Sequence, residues 1–143
     1  MELNNLKESY VKDLADIEKE CFEAPWTESA FLKDITNENA VYSIADADGS
    51  AIGYIGGYVA FDTVYINNIA VKSDYRNRGV GTALLKDFIN KTKNKILTLE
   101  VRKSNMAAIH LYNKFGFDTV GERKGFYSKP KEDALIMTRE IQE

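Results

Sequence analysis

The stretch IAVKSDYRNRGVG, residues 69–81, connects the apolar end of a predicted strand to a predicted helix through a polar loop. Two arginines, Arg76 and Arg78, stand beside two glycines, Gly79 and Gly81, directly before that helix. Glycine lets backbone amides approach a ligand closely, and the first amides of a helix favour negative charge. Together with the charged arginine donors, these amides predict an anion-binding loop.

Three interpretations of this loop compete. In the simplest, the glycines only help a surface helix to begin, since a lone G-x-G is weak evidence of binding. In the second, the loop binds a dinucleotide, with Glu100 near the position of the ribose-binding acid. Against this, Leu84 occupies the third glycine position, and KSDYRNR separates the strand from the glycines. In the third, which we favour, the backbone amides of residues 78–82 bind a pyrophosphate.

Length and composition indicate a soluble globular protein. The chain has 143 residues, of which 44% are hydrophobic and 29% charged, and residues 1–143 are predicted to form a single domain. The formal net charge of −3 argues against a general nucleic-acid partner. The longest apolar run, residues 51–61, is too short to span a bilayer, so no membrane association is expected.

The cysteine and histidine counts exclude two kinds of site. With one cysteine, Cys21, and no visible secretory signal, we expect a cytoplasmic protein without an intrachain disulfide. We interpret Cys21 as a core residue rather than a nucleophile, because it lies among apolar neighbours. One histidine and one cysteine cannot assemble a His/Cys metal site. The DADG stretch at residues 46–49 lacks the remaining ligands of a calcium loop and is predicted to be a hairpin turn.

Periodicity predicts an α/β fold. Apolar residues recur at helical spacing over residues 10–22, 80–90 and 105–115, and Thr27 is expected to cap a further helix. Because the middle helix connects neighbouring strands, it favours a parallel pair in a mixed sheet. Strands are predicted over residues 40–46, 51–61, 63–71, 95–101, 118–123 and 134–140.

The R-x-x-G-x-G pattern of Arg76, Gly79 and Gly81 resembles the acetyl-CoA pyrophosphate loop of the GNAT acetyltransferases. The resemblance implies the GNAT fold, a mixed central β-sheet flanked by helices, with acetyl-CoA as cosubstrate and no metal. It assigns cofactor contacts to the strand end at Ile69, Ala70 and Val71, to the loop and helix start at Arg76, Asn77, Arg78, Gly79, Val80, Gly81 and Thr82, and to Asn105.

Further blocks resemble one branch of that family, which acetylates the N-terminal alanine of a small-subunit ribosomal protein. They are CFEAPW (21–26), NNIAV (67–71), LEVRKSNMAAIHLYNKFGF (99–117) and EDALIM (132–137). This resemblance implies that the partner is the N-terminal tail of such a protein. It also implies that Glu100 is the general base, and that Tyr112 is the general acid that protonates the departing thiolate.

The same residues also have simpler interpretations. Glu100 alternates with the apolar Leu99 and Val101, and a carboxylate on the polar face of a strand is commonly ion-paired. Tyr112 follows Asn105 by two helical turns, so the two share a face, and a single tyrosine is commonly an amphipathic core residue. The oxyanion of the reaction is expected to bind a backbone N–H near Val71.

Other candidates carry less weight. His110 points away from Tyr112 on the same helix, and we interpret it as a surface or structural residue. Trp26 is either a packing anchor or, with Glu23, part of the acceptor groove that borders the first two helices in this family. The aromatic pair that usually reads as two tyrosines is Phe126 and Tyr127 here.

Rival functions stay open from the sequence. Within the family, the acceptor would be a lysine side chain or a small amine. A CoA-binding module without turnover is a second alternative, against which both Glu100 and Tyr112 argue. A nucleotide-binding redox protein is a third, and the missing third glycine argues against it.

Overall fold

The computed structural model of the chain describes residues 1–142. A seven-stranded sheet forms its centre, in the order β1-β2-β3-β4-β5-β7-β6. The elements follow along the chain as β1 (Glu2–Asn4), α1 (Val11–Cys21), α2 (Glu28–Ile35), β2 (Ala40–Ala47), β3 (Ser50–Ala60), β4 (Thr63–Val71), α3 (Val80–Lys91), β5 (Ile96–Arg102), α4 (Met106–Lys114), β6 (Asp118–Ser128) and β7 (Lys131–Arg139).

The sheet is mixed, as the sequence predicts. Strands β4 and β5 run parallel, with α3 connecting them, whereas the other neighbouring strands run antiparallel. A parallel pair needs such a crossover, because the chain must return to the same end of the sheet. The expected cap of α2 is also confirmed, since the Thr27 hydroxyl accepts a hydrogen bond from the Ala30 amide.

Each face of the sheet has its own core. Helix α1 and Phe31 of α2 pack on one face of the sheet, against β2 and β3. Helices α3 and α4 cover the other face, where Leu84, Phe88 and Ile109 meet the apolar side chains of β5. The alternation in KILTLEVR, with Leu97 and Leu99 buried and Thr98 and Glu100 less so, follows from covering one face of β5.

The structure corrects three sequence boundaries. Strand β1 is absent from the predictions, because three residues are too few to show a period. Strand β6 extends to Ser128 rather than ending at residue 123, and β7 begins at Lys131 rather than at residue 134. The β6 side chains are mostly exposed and its register shifts between Arg123 and Tyr127, so no clean alternation marks its length.

Within residues 1–142, none of the helices combines the length and the apolar character that a membrane crossing requires.

Candidate active site

A β-bulge lies in the middle of β4. Gly56 of β3 pairs with Asn68, but the next residue, Gly57, pairs with Ile66, so Asn67 is an extra residue in β4. A bulge reverses the side-chain alternation that follows it. Accordingly, Ile66 packs in the core beneath α3, whereas Ala70 packs on the opposite face of the sheet.

Beyond this bulge, β4 and β5 part. Within the described chain their parallel ladder joins only Thr63, Val64 and Tyr65 of β4 to residues 96–98 of β5. Residues 66–71 and 99–102 therefore face each other across a gap with no ladder between them. A gap between two strands exposes backbone donors and acceptors that an extended ligand can pair with.

Two amides of β4 face this gap. The Lys72 amide donates to the Ile52 carbonyl at 2.8 Å, on the side of β3. Because successive amides of a strand alternate between its two edges, the amides of Val71 and Ile69 lie on the edge toward β5. The expected oxyanion donor near Val71 thus lies at the gap.

The glycine loop leads from β4 into α3. Asn77 and Gly79 have left-handed backbone conformations, with φ of 61° and 79°, and Gly79 is the N-cap of α3. The first helical hydrogen bond here runs from the Ala83 amide to the Gly79 carbonyl, so the amides of residues 80–82 precede the helical ladder. Those amides, on Val80, Gly81 and Thr82, are the groups at a helix start that an anion can accept hydrogen bonds from.

The two arginines of the loop behave differently. Arg76 donates from Nε to the Val71 carbonyl at 3.1 Å and from Nη2 to Cys21 Sγ at 3.2 Å, so it braces the loop against β4 and the end of α1. Arg78 instead lies over the Tyr75 ring, 5.3 Å from its centroid. The Arg76 contacts were not foreseen, and they leave Arg78 and the backbone amides as the donors nearest the helix start.

The thiol of Cys21 is half-buried at the end of α1. Burial raises its pKa, and the neighbouring Arg76 guanidinium only partly opposes that effect. A thiol that stays protonated is a poor nucleophile.

Glu100 lies on β5 where the strands have parted. Its Oε1 is 3.4 Å from Nε of Arg123, a residue of β6 that no sequence pattern singled out. The ion pair expected in the simpler interpretation is therefore present. Both side chains remain partly exposed, at 32% for Glu100 and 56% for Arg123, so the paired carboxylate is still accessible to solvent.

Tyr112 lies on α4, on the face of the sheet opposite to the one from which the Glu100 side chain projects. Its side chain is 7% exposed and packs against Phe117, with ring centroids 5.7 Å apart. Its hydroxyl donates to no protein group among residues 1–142. Burial raises the pKa of Tyr112, and the nearby Tyr127 adds to the effect. The hydroxyl therefore stays protonated at neutral pH.

Tyr127 lies within electrostatic reach of both candidate residues. Burial raises its pKa, Arg102 lowers it, and Glu100 raises it again. The Arg102 guanidinium lies 4.2 Å from the centroid of its ring. Tyr127 of β6 therefore lies near both Glu100 and Tyr112.

Asn105 is the N-cap of α4. Its Oδ1 accepts a hydrogen bond from the Ala108 amide at 3.2 Å, so the carbonyl oxygen is engaged in capping. The amide nitrogen is what Asn105 can offer to a ligand. His110, further along α4, is exposed, as the helical spacing predicts.

A buried carboxylate that the sequence interpretation missed stands beside the site. Glu18 is fully buried and accepts hydrogen bonds from the Tyr54 hydroxyl at 2.5 Å, the Trp26 amide at 2.9 Å and Asn68 Nδ2 at 3.3 Å. Burial raises the pKa of Glu18. It ties α1 to the bulged strand and to the loop before α2. One feature of the sequence pointed to this role: Glu18 is a charged residue one helical turn after Leu14, on the inner face of α1.

The loop between α1 and α2 borders an open groove beside Cys21. Glu23 lines the groove, whereas Trp26 packs on Phe31 with ring centroids 5.6 Å apart. Among residues 1–142, the side chains form no group of three or more potential metal ligands.

Comparisons with known proteins agree with this geometry. Residues 11–117 match the model of the Acetyltransferase (GNAT) family. A Bacillus subtilis protein named for ribosomal protein bS18-alanine N-acetyltransferase activity is 37% identical over 99% of this chain and 96% of its own. The N-alpha-acetyltransferase RimI of Mycobacterium tuberculosis is 31% identical over 88% of this chain and 84% of its own.

A solved structure matches as well. The crystal structure of the ribosomal-protein-S18-alanine N-acetyltransferase from Escherichia coli superimposes with a TM-score of 0.90 at 31% identity, covering 99% of this chain and 94% of that one.

Proposed function

The chain belongs to the GNAT acetyltransferase family, and we propose that it transfers the acetyl group of acetyl-CoA to the N-terminal alanine of ribosomal protein bS18. Residues 1–143 would act as a single acetyltransferase domain in the cytoplasm. The acceptor is the N-terminal tail of this ribosomal protein rather than a nucleic acid or a membrane, in keeping with the net charge of −3. No metal takes part in the proposed reaction.

The observation that carries the proposal is the gap between β4 and β5. The glycine loop follows β4 at the end of this gap, and in the proposed site Glu100 of β5 and Tyr112 of α4 act on the substrate there from opposite faces of the sheet. An extended thioester substrate can pair with β4 there while the acceptor amine approaches Glu100. In this arrangement base, acid and backbone donor surround one position.

The cosubstrate contacts follow from the loop and the strand. The amides of Val80, Gly81 and Thr82 donate to the pyrophosphate, and the side chains of Asn77 and Arg78 flank it. Ile69, Ala70 and Val71 run beside the pantetheine arm. Arg76 supports the loop from behind, and Asn105 contributes its amide nitrogen.

The chemical step uses the remaining groups. Glu100 accepts a proton from the acceptor amine, directly or through water, as the nitrogen bonds to the carbonyl carbon. The Val71 amide donates to the oxygen that becomes negatively charged. The carbon–sulfur bond then breaks, and Tyr112 gives its proton to the thiolate. An α-amine has a pKa of about 7.7–8.0, so it loses its proton far more readily than a lysine side chain near 10.4.

Intact-mass measurement of two synthetic peptides tests the proposal. One begins with the free alanine of the ribosomal tail, and the other has a blocked N-terminus and an internal lysine. Gain of one acetyl group by the first peptide alone is the expected result. Acetylation of the lysine peptide alone would contradict the acceptor while leaving the family mechanism in place. If neither peptide changes although acetyl-CoA binds, the acceptor assignment is wrong.

A further inference from the structure

The proposed base has a cationic partner from a distant part of the chain. Arg123 pairs across the sheet with Ala134 of β7, which in turn pairs with Arg102 of β5. Ala134 is small and fully buried, so it leaves room for the Arg123 side chain to cross β7. The guanidinium reaches Glu100 at 3.4 Å, while its Cζ lies 5.6 Å from the centroid of the Phe126 ring.

The cations next to Glu100 and Arg123 in the sequence are paired with other acids. Arg102 pairs with Glu132 at 3.3 Å and also donates to the carbonyls of Pro130 and Lys129. Lys103 pairs with Glu122, and Lys124 with Glu122 and Asp133. The titratable and charged groups around Glu100 are thus Arg102 on its own strand, Arg123 and Tyr127 on β6, Glu132 on β7, Tyr65 on β4 and Tyr112 on α4.

We propose that Arg123 is a positioning residue that favours the uncharged form of the acceptor amine at Glu100. This inference rests on the proposed function, in which Glu100 receives the amine. The Glu100 carboxylate balances one positive charge, and the Arg123 guanidinium already supplies that charge. A second cation at the same carboxylate is disfavoured by like-charge repulsion. The amine that binds there releases its proton and becomes a nucleophile.

The same effect selects among amines. An α-amine needs a modest shift to be uncharged at neutral pH, whereas a lysine side chain starts at a pKa near 10.4 and needs a shift of more than about two units. A partly exposed ion pair produces only modest shifts, because solvent screens it. Arg123 therefore assists the α-amine acceptor and leaves lysine protonated.

The test is the pH dependence of kcat and KM for the alanine-starting peptide in Arg123→Ala. The amine then meets an unbalanced carboxylate and is held as ammonium. We expect the acidic limb of the kcat profile to move up by about one pH unit, which is a loss of up to about tenfold in kcat below the limb. Activity returns at higher pH, and KM does not rise.

Two further variants serve as controls. Arg123→Lys keeps the charge and should keep the wild-type profile. Lys124→Ala removes the same charge from the next residue, whose partners are Glu122 and Asp133, and should also leave the profile unchanged. A purely structural effect of Arg123 would lower kcat by the same factor at every pH.

The outcomes separate this inference from the function on which it rests. If Arg123→Ala keeps the wild-type profile while Glu100→Gln loses activity, the inference is wrong and the base assignment stands. If Glu100→Gln keeps full activity and the wild-type profile, both are wrong. A shifted limb in Arg123→Ala with normal profiles in the controls supports the inference.

Discussion

Tyr112 combines a buried ring with a hydroxyl that has no protein partner among residues 1–142, and the family resemblance assigns it the role of general acid. Since burial raises its pKa, the group is protonated over the whole neutral range. It contributes one proton to the leaving group and, in the proposed function, little to binding.

Tyr112→Phe should therefore lower kcat by roughly 10²–10⁴-fold, the usual contribution of a general acid, and leave the dissociation constant of acetyl-CoA nearly unchanged. Steady-state kinetics and calorimetry measure the two quantities. Tyr58→Phe, which removes a hydroxyl that β3 bonds to Asp34 of α2, is the control for loss of a tyrosine hydroxyl. Loss of binding with normal turnover of the bound complex would show that Tyr112 is not the acid.

Glu18 shows what a buried charge costs. Its folded pKa lies above the unfolded value, so the folded state binds the proton more tightly. The ionised carboxylate therefore destabilises the fold above the folded pKa, and this penalty disappears as the pH falls toward the unfolded value of about 4.3.

Glu18→Gln removes this titration. Between neutral pH and the ordinary glutamate range, the free energy of unfolding of the wild type should rise relative to that of the variant as the pH decreases. Urea denaturation at several pH values measures the difference. Because the glutamine amide nitrogen donates, it must replace either the oxygen that accepts from Tyr54 and Asn68 or the oxygen that accepts from the Trp26 amide, so the donors on one side must rearrange. A difference that is constant with pH would mean that the pKa of Glu18 is the same in the folded and unfolded states.

The elements around the gap were partly visible in the sequence. The bounds of β4 were predicted correctly, and those of α3 to within one residue, because an apolar run and an amphipathic period mark them. The family resemblance supplied the proposed base and the proposed acid. It supplied neither the partner of Glu100 nor the extent of β6, since a charged, exposed edge strand has no period to read. The bulge at Asn67 was hinted at only by two polar residues inside an apolar strand.

The N-cap of α3 offers a test of the loop. Gly79 has φ of 79°, where an alanine Cβ costs about 1–2 kcal/mol, and the space around that Cβ is open, so the cost is backbone strain alone. Gly79→Ala should lower the free energy of unfolding by about this amount and also weaken acetyl-CoA binding, because the helix-start amides would move.

Gly49→Ala is the control for that substitution. Gly49 lies in the turn between β2 and β3 with φ of 91° and equally open space. It should show a similar loss of stability with unchanged acetyl-CoA affinity. Equal affinities in both variants would mean that the α3 start does not hold the ligand.

The sheet as a unit depends on a short junction. Strands β1 to β4 form one part and strands β5 to β7 the other, and β4 and β5 join them through three parallel residue pairs, beyond which the gap opens. A ligand that pairs with β4 would extend this junction, so binding should stabilise the protein as well as occupy the site. At a free concentration of about 100 times the dissociation constant, the gain is about 2.7 kcal/mol.

Hydrogen exchange should locate this gain. Acetyl-CoA should slow exchange at the amides of Ile69 and Val71, which face the gap, while Tyr65 and Thr98, already within the ladder, change less. Mass spectrometry or NMR with and without the ligand measures it. Uniform protection of all strands would argue for a general stabilisation rather than for pairing at β4.

The place of β7 in the sheet has a consequence for synthesis. In the part of the chain that the structure describes, β6 pairs with β7 alone, and β7 separates it from β5. A ribosome delivers β5 and β6 before β7, so a nascent chain has no strand with which to bring Arg123 to Glu100. The pair forms only after residues 131–139 have been made. Unfinished copies of the protein therefore have the glycine loop and Glu100 without the cation that balances Glu100.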